Sequence, residues 1–205
     1  MRFTINFQDA DKIRKRLERN VTKAEAMEKK IVNDIKGRVP AWASAGVRTV
    51  YGIAAADIVP PKIKNGAPVQ KRLAGRIFTG GRTISDVYIE YTGRVLTPVH
   101  FNMTPKTPSG VIDKKGKRRP ITAAIKKGQR KAFPIDTFLG SNRGGGYIPF
   151  RRTTKKAYPI ESVKTLSLPQ MVSNEKVNEA IMERVNKQMQ KRLDHYMGQL
   201  EKLNQ

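Results

Sequence analysis

The sequence predicts an α+β fold in which a small antiparallel β-sheet is packed by long N-terminal and C-terminal amphipathic helices. Near both ends of the chain, apolar residues recur at intervals of three and four, which is the period of a helix that buries one face. Between residues 71 and 101, apolar residues alternate with polar ones and glycines separate the runs, as in antiparallel strands. We therefore expect a single domain over residues 1–205.

The N-terminal part, residues 8–58, is predicted to be helical after a short strand in the first seven residues. Its apolar positions follow helical spacing and are Ile13, Leu17, Val21, Ala24, Met27, Ile31 and Ile35. Gly37 and Pro40 are expected to weaken or end this helix, because proline cannot donate an interior helical hydrogen bond. A second helix is expected to begin at Pro40, since proline is favoured in a first turn.

Residues 71–160 are predicted to form the β-sheet region. Its strands are expected in "KRLAGRIFTGG", "RTISDVYIEYTG" and "RVLTPVHF", with a hairpin turn at Gly80-Gly81, then in two strands joined at Lys127-Gly128 and in "YIPFRR". The basic loop 103–120 is expected to project from this sheet. The aromatic and aliphatic positions expected to be mainly core are Phe133, Phe138, Tyr147, Phe150, Tyr158 and Ile160.

The C-terminal helix is predicted over residues 173–203, with Ser173 or Asn174 as its N-cap. One apolar stripe runs along it, through Val177, Ile181, Val185, Met189, Leu193, Tyr196, Leu200 and Leu203. A stripe of this width requires a second surface to cover it, so the helix is expected to pack on the rest of the domain.

The net charge of +24 arises from 41 Lys and Arg against 17 Asp and Glu. Such an excess repels itself in the folded state and favours a negatively charged partner, such as nucleic acid, an acidic protein surface or an anionic membrane. It is concentrated in the β region, where residues 91–160 hold sixteen Lys and Arg and two Asp. No apolar run approaches the roughly 18 residues of a membrane span, so we expect no membrane partner.

Nine cations on the segment 112–131 form the predicted contact surface: Lys114, Lys115, Lys117, Arg118, Arg119, Lys126, Lys127, Arg130 and Lys131. If they contact phosphates, binding will depend steeply on salt because each neutralised phosphate releases a counterion. In the alternative interpretation, they are solvated or face an acidic patch on a protein partner. Aromatic residues for base stacking are sparse in this region, so any nucleic-acid binding would follow the backbone rather than read bases.

The residue types needed for catalysis are not grouped in the sequence. There is no cysteine, which excludes disulfides, thiolate metal sites and a cysteine nucleophile. The two histidines, His100 and His195, are far apart in sequence, and a metal site needs three or four converging ligands. The segment "GRIFTGGRT" departs from a phosphate-binding loop because Gly81 occupies the position of the lysine. We therefore expect no enzymatic activity, no cofactor and no metal.

Residues 131–177, "KAFPIDTFLGSNRGGGYIPFRRTTKKAYPIESVKTLSLPQMVSNEKV", resemble the closing segment of the prophage minor tail protein Z family. These are tail-completion proteins of long-tailed bacteriophages. The likeness lies in the order of "AFPIDTF", a glycine turn, "YIPFRR", a basic linker and "YPIESVKTLSLPQMV", followed by a terminal amphipathic helix containing "LDHYMGQL". Upstream, "AGVRTVYGIAAADI" and "VLTPVHF" are also similar, so that the resemblance covers most of residues 10–200.

The resemblance implies a structural virion protein that acts in tail completion and tail-to-head joining, with other tail and neck proteins as partners. It implies a location in the virion tail after assembly in the host cytoplasm, and a homo-oligomeric ring around the channel that DNA crosses. The basic surface would then face the DNA end or an acidic neighbouring protein. The alternative is a cellular, sequence-independent nucleic-acid-binding protein, for example a ribosome-associated one.

Overall fold

A computed structural model describes residues 2–4, 21–59, 75–113, 115–142 and 145–203. It confirms the α+β class. Two long helices, α1 (Val21–Val50) and α3 (Glu175–Leu203), pack against each other, and the short helix α2 (Leu168–Val172) precedes α3. In the part of the chain that the structure describes, the strands form three small antiparallel sheets rather than the one sheet that the sequence predicts. In the described ranges, no helix combines the length and apolarity needed to cross a membrane.

Helix α1 continues through Gly37 and Pro40, so the predicted helix end at these residues is wrong. Pro40 has no N–H to donate to the carbonyl of Lys36, four residues earlier. The hydroxyl of Thr79 donates to that carbonyl instead, at 2.8 Å. A tertiary hydrogen bond thus replaces the missing helical one. The side chains of Val39, before the proline, and Ala43, after it, are buried in the core.

The contact between α1 and α3 is close enough to require a glycine. A Cβ atom on Gly46 would lie 2.5 Å from Cγ1 and 3.0 Å from Cα of Ile181. The predicted stripe of α3 is buried at every position from Val177 to Leu193, which confirms the helical spacing. Facing it, α1 buries its own stripe of Ile31, Ile35, Val39, Ala43 and Val47.

A polar group also joins the two helices. The carboxylate of Asp34 on α1 accepts from Nε of Arg38 at 2.6 Å and from Nε of Arg192 on α3 at 2.6 Å. The guanidinium of Arg192 lies over the ring of Tyr196 at 5.2 Å. Burial acts to raise the pKa of Asp34, but the hydrogen bonds and charges of the two arginines outweigh burial and set this pKa below its ordinary value.

The first sheet has the order β1-β3-β2, with β1 at Arg2–Thr4, β2 at Gly75–Gly80 and β3 at Tyr88–Gly93. Strand β2 lies against α1, and β3 lies against α2. The predicted tight turn at Gly80-Gly81 is wrong, because residues 81–87 connect the strands and contain a 3-10 turn.

The predicted strand "RVLTPVHF" is also wrong: its second half is a 3-10 helix, Pro98–Phe101. Pro98 occupies a first-turn position, where its missing N–H has no helical partner to lose. The helix places Phe101 in the core with no exposed surface. The ring is thus buried by a helical turn and not by the expected strand.

The second sheet is the hairpin of β4 (Thr122–Lys126) and β5 (Gln129–Ala132), and its turn at Lys127-Gly128 is confirmed. Gly128 has a φ of 75°, which favours glycine at this turn. The third sheet has the order β6-β7-β8, with β6 at Phe138–Ser141, β7 at Tyr147–Arg152 and β8 at Ile160–Ser162.

Three of the six aromatic and aliphatic residues expected to be mainly core are instead on the surface. Tyr158 is 75% exposed, Tyr147 is 42% exposed and Ile160 is 36% exposed. The other three, Phe133, Phe138 and Phe150, are half-buried. Tyr158 lies in the connection between β7 and β8, every residue of which is exposed, so its apolar character does not imply burial.

The close helix contact predicts opposite effects of the same substitution at two glycines of α1. Gly46→Ala places a methyl group against the backbone of Ile181 and is expected to lower the free energy of unfolding by about 1–3 kcal/mol. Gly37→Ala meets open space on the exposed side of the helix and is expected to raise it by about 0.5–1 kcal/mol. Urea unfolding of both variants measures the difference. Shifts in the same direction would contradict the contact.

The Asp34 group predicts an acid-sensitive contribution to stability. Because the folded pKa is depressed, this contribution is complete above the unfolded value of about 3.9 and is lost as pH falls through the folded pKa. Asp34→Asn is expected to cost about 1 kcal/mol at pH 7 and progressively less on acidification. The measurement is urea unfolding at pH 7 and at an acidic pH below the folded pKa of Asp34. The matched control is Asp136→Asn, an exposed carboxylate. If Asp34→Asn loses as much stability as the native chain between the two pH values, the role assigned to Asp34 is wrong.

Candidate functional site

Eight of the nine predicted contact residues lie in the described part of the chain, and Lys114 lies outside it. All eight are exposed. We call this set the basic surface: Lys115, Lys117, Arg118, Arg119, Lys126, Lys127, Arg130 and Lys131. Four of its members are on the segment 111–119 and four are on the β4–β5 hairpin, so that the surface is built on two pieces of backbone joined by Pro120 and Ile121.

The hairpin is fixed to the end of α1 by backbone hydrogen bonds. The N–H of Gly52 donates to the carbonyl of Ile125 at 3.0 Å, and the N–H of Lys127 donates to the carbonyl of Val50 at 2.8 Å. A Cβ atom at Gly52 would collide with the backbone carbonyl of Ala124. The turn that carries Lys126 and Lys127 is thus held at a defined distance from the helical core.

The hairpin is also anchored through the apolar side of its base. Ile121 and Ala123 are buried, and Ile125 and Phe133 pack against the core while remaining partly exposed. The backbone of Tyr51, just after α1, forms an antiparallel bridge with that of Lys126. Burial raises the pKa of the Tyr51 phenol, so this group stays neutral. Strand β5 has no buried residue at all. One strand of the hairpin therefore belongs to the core and the other faces outward.

The segment 111–119 is folded back on itself rather than extended into solvent. Its backbone pairs Ile112 with Arg118, and the N–H of Arg119 donates to the carbonyl of Val111 at 2.7 Å. At the tip, Oδ1 of Asp113 accepts from the N–H of Lys115 at 2.9 Å and from that of Lys117 at 2.8 Å. The segment's acidic side chain is therefore used to close the turn.

Two of the arginines bind neutral oxygen atoms. Nη2 of Arg118 donates to the carbonyl of Thr137 at 2.8 Å, which ties the segment 111–119 to the start of β6. Nη1 of Arg130 donates to Oγ1 of Thr122 at 3.1 Å across the hairpin. Among the residues that the structure describes, no carboxylate lies within salt-bridge distance of any of the eight cations. Within the described ranges, no ion pair neutralises their positive potential.

Four further exposed cations lie on β7 and the connection after it, outside the predicted contact surface: Arg151, Arg152, Lys155 and Lys156. Arg152 lies over the ring of Phe138 at 5.2 Å, and that ring stacks on Phe150 at 6.1 Å between centroids. The register of β7 with β6 brings these rings together. The alternation in "YIPFRR" is the sequence signal that could have placed Arg152 and Phe150 on one face.

The two histidines have separate surroundings. Nδ1 of His100 lies 3.3 Å from Oδ2 of Asp57, and Nε2 of His195 lies 3.2 Å from Nε2 of Gln199 on α3. Within the described ranges, no group of three or more His, Cys, Asp or Glu side chains is placed to hold a metal ion. The arrangement of these side chains therefore offers no metal centre there.

No family model, no curated protein and no solved structure matches this chain. These comparisons neither support nor contradict the resemblance of residues 131–177 to the tail-protein family. The basic surface is therefore the feature of the molecule that bears most directly on function.

The turn closed by Asp113 predicts a change in proteolytic sensitivity. Asp113→Ala removes the acceptor of two backbone N–H groups and is expected to speed tryptic cleavage after Lys115, Lys117 and Arg118 by about threefold to tenfold. Asp113→Asn keeps an acceptor oxygen and is expected to stay near the native rate. Limited proteolysis followed by mass spectrometry reads each bond separately. Equal rates in the native chain and in Asp113→Ala would show that the turn does not depend on this side chain.

Proposed function

We propose that this chain is a non-enzymatic structural protein of a bacteriophage tail, acting in tail completion and tail-to-head joining through protein–protein assembly. The observation that carries the proposal is the basic surface. Its eight exposed cations have no carboxylate partner among the described residues, and they lie on segment 111–119 and on a hairpin that is anchored to the helical core. A surface of this kind lowers its electrostatic free energy when an acidic partner covers it.

An acidic protein is the partner that the surroundings of these cations favour. Neither strand of the hairpin carries an aromatic side chain, and the apolar side chains of β4 are buried or only partly exposed, so the hairpin offers no stacking platform for bases. The resemblance of residues 131–177 to the tail-protein family supplies the context. Its implications are a position at the end of the tail that meets the head, other tail and neck proteins as neighbours, and a ring of identical copies around the DNA channel.

The second candidate is a cellular protein that binds nucleic acid without reading its sequence. The observation in its favour is that the same cations, together with Arg152 stacked on Phe138, are suited to phosphates and to an unpaired base. A DNA end passing through a tail ring would meet the same groups. The two candidates therefore differ in which partner accounts for most of the binding.

The proposal predicts that charge position matters more than total charge. In the hairpin variant, Lys126, Lys127, Arg130 and Lys131 are replaced by Gln. In the matched control, the exposed helical residues Lys29, Lys30, Arg184 and Lys187 are replaced by Gln, which lowers the net charge equally. The assay adds each variant to tails that lack the native protein and measures their joining to heads. Relative to the native chain, joining is expected to fall on the order of tenfold with the hairpin variant and to change less than about twofold with the control.

The opposing results are equally specific. If both variants reduce joining alike, net charge rather than the basic surface is responsible, and the proposal fails. Two results together would favour the nucleic-acid-binding candidate. The native chain would bind random duplex DNA at micromolar concentration near 150 mM salt with a steep salt dependence, and heads and tails would join without the chain. Size analysis of the purified chain tests the ring, for which a persistent monomer at assembly concentrations would be contrary evidence.

A further inference from the structure

The direction of the backbone amides in β5 can be assigned from one hydrogen bond. The N–H of Phe133 donates to the carbonyl of Ile121 at 2.8 Å, so the amide of Phe133 faces β4. Successive residues of a strand direct their amides to opposite sides. Lys131 pairs with Ala123, and its backbone N–H and C=O groups therefore also face β4. The N–H and C=O groups of Arg130 and Ala132 point away from β4, toward the outer edge of β5.

The two outer edges of this hairpin are not equivalent. The outer edge of β4 is occupied: Thr122 exchanges hydrogen bonds of 2.8 and 2.9 Å with Thr104, and the end of α1 binds Ile125 and Lys127. On the outer edge of β5, the amides of Arg130 and Ala132 have no hydrogen-bond partner among the described residues. All four residues of β5 are exposed, so nothing in those ranges covers this edge.

The charges beside this edge select the kind of strand that fits it. Arg130 and Lys131 are adjacent, so their side chains project from opposite faces of the hairpin. Lys126 and Lys127 lie at the turn. A second copy of this chain, pairing β5 with β5, would bring like charges together, which destabilises strand pairing. A strand rich in carboxylates would meet complementary charge on both faces.

We propose that the outer edge of β5 accepts an extended acidic segment of a partner protein as an added strand. This inference rests on the proposed function, because it names the class of segment that the basic surface binds. The amides of Arg130 and Ala132 supply backbone hydrogen bonds, and the four hairpin cations supply selectivity for carboxylates. Cations on an edge strand also discourage unwanted pairing with neutral or basic strands.

Ala132 allows the backbone contribution to be tested without a change of charge. Ala132→Pro removes an outward N–H and leaves the hydrogen bonds to β4 in place, since proline is tolerated where the N–H faces away from the sheet. Ala132→Ser is the matched control and keeps the N–H. The probe is a synthetic peptide that repeats Glu-Glu-Val, capped at both ends, so that both faces of the strand carry carboxylates. Its counterparts are a peptide that repeats Lys-Lys-Val and a thymidine oligonucleotide of twelve residues.

The acidic peptide is expected to bind the native chain and Ala132→Ser alike, and Ala132→Pro roughly threefold to tenfold more weakly. The basic peptide is expected not to bind. Residue-resolved amide exchange provides a second measurement that does not depend on variants. The amides of Arg130 and Ala132 are expected to exchange quickly in the free chain and to become protected by the acidic peptide, while Lys131 is protected throughout.

Three outcomes would overturn the inference: no binding of the acidic peptide, equal binding to Ala132→Pro and Ala132→Ser without new amide protection, or protection of the same amides by the oligonucleotide. Failure here is distinguishable from failure of the proposed function. If the hairpin variant still impairs the joining of heads to tails, the basic surface contacts its partner through side chains alone and only the added strand is excluded. If that variant joins normally, the proposed function itself fails.

Discussion

Gly46 allows Ile181 to pack directly against the backbone of α1, and this contact positions most of the remaining structure. It brings two apolar stripes together along the lengths of α1 and α3, so that each helix covers the other. The Asp34 group adds a charged tie between the same helices. The backbone that follows the C-terminal end of α1 then binds the β4–β5 hairpin through Gly52. The basic surface is placed by this helix pair, although none of its residues belongs to either helix.

The chain separates its packing function from its charge. In α1 and α3, acidic and basic residues are interspersed on the exposed sides, whereas residues 115–142 and 145–156 expose twelve Lys and Arg against the single acidic residue Asp136. Self-repulsion within that region costs stability and leaves a positive potential that a partner can satisfy. The mutually repelling charges lie on turns and on an edge strand, where backbone and side chains remain solvated. The buried stripes of the helices contain no unpaired charge.

Helical periodicity was sufficient to predict α3 and its buried stripe, because the apolar positions of the stripe from Val177 to Leu193 follow the local spacing of a helix. The continuity of α1 could not be predicted in this way, because the hydroxyl that replaces the hydrogen bond of Pro40 comes from Thr79, far along the chain. Exposure of Tyr158 was missed for a related reason: whether an apolar residue is buried depends on which element covers it. The cations of the site were found from charge counting alone. The open edge beside them was not, because amide direction follows from the register between strands.

Lysine acetylation compared between the free chain and assembled tails tests the central claim most directly, namely that an acidic protein covers the hairpin side of the molecule. The account predicts that Lys126, Lys127 and Lys131 react readily in the free chain and become protected after assembly, while Lys29 and Lys187 on the helices react equally in both. Digestion of the DNA should leave this protection unchanged. Protection spread evenly over hairpin and helices, or protection that disappears with the DNA, would contradict it.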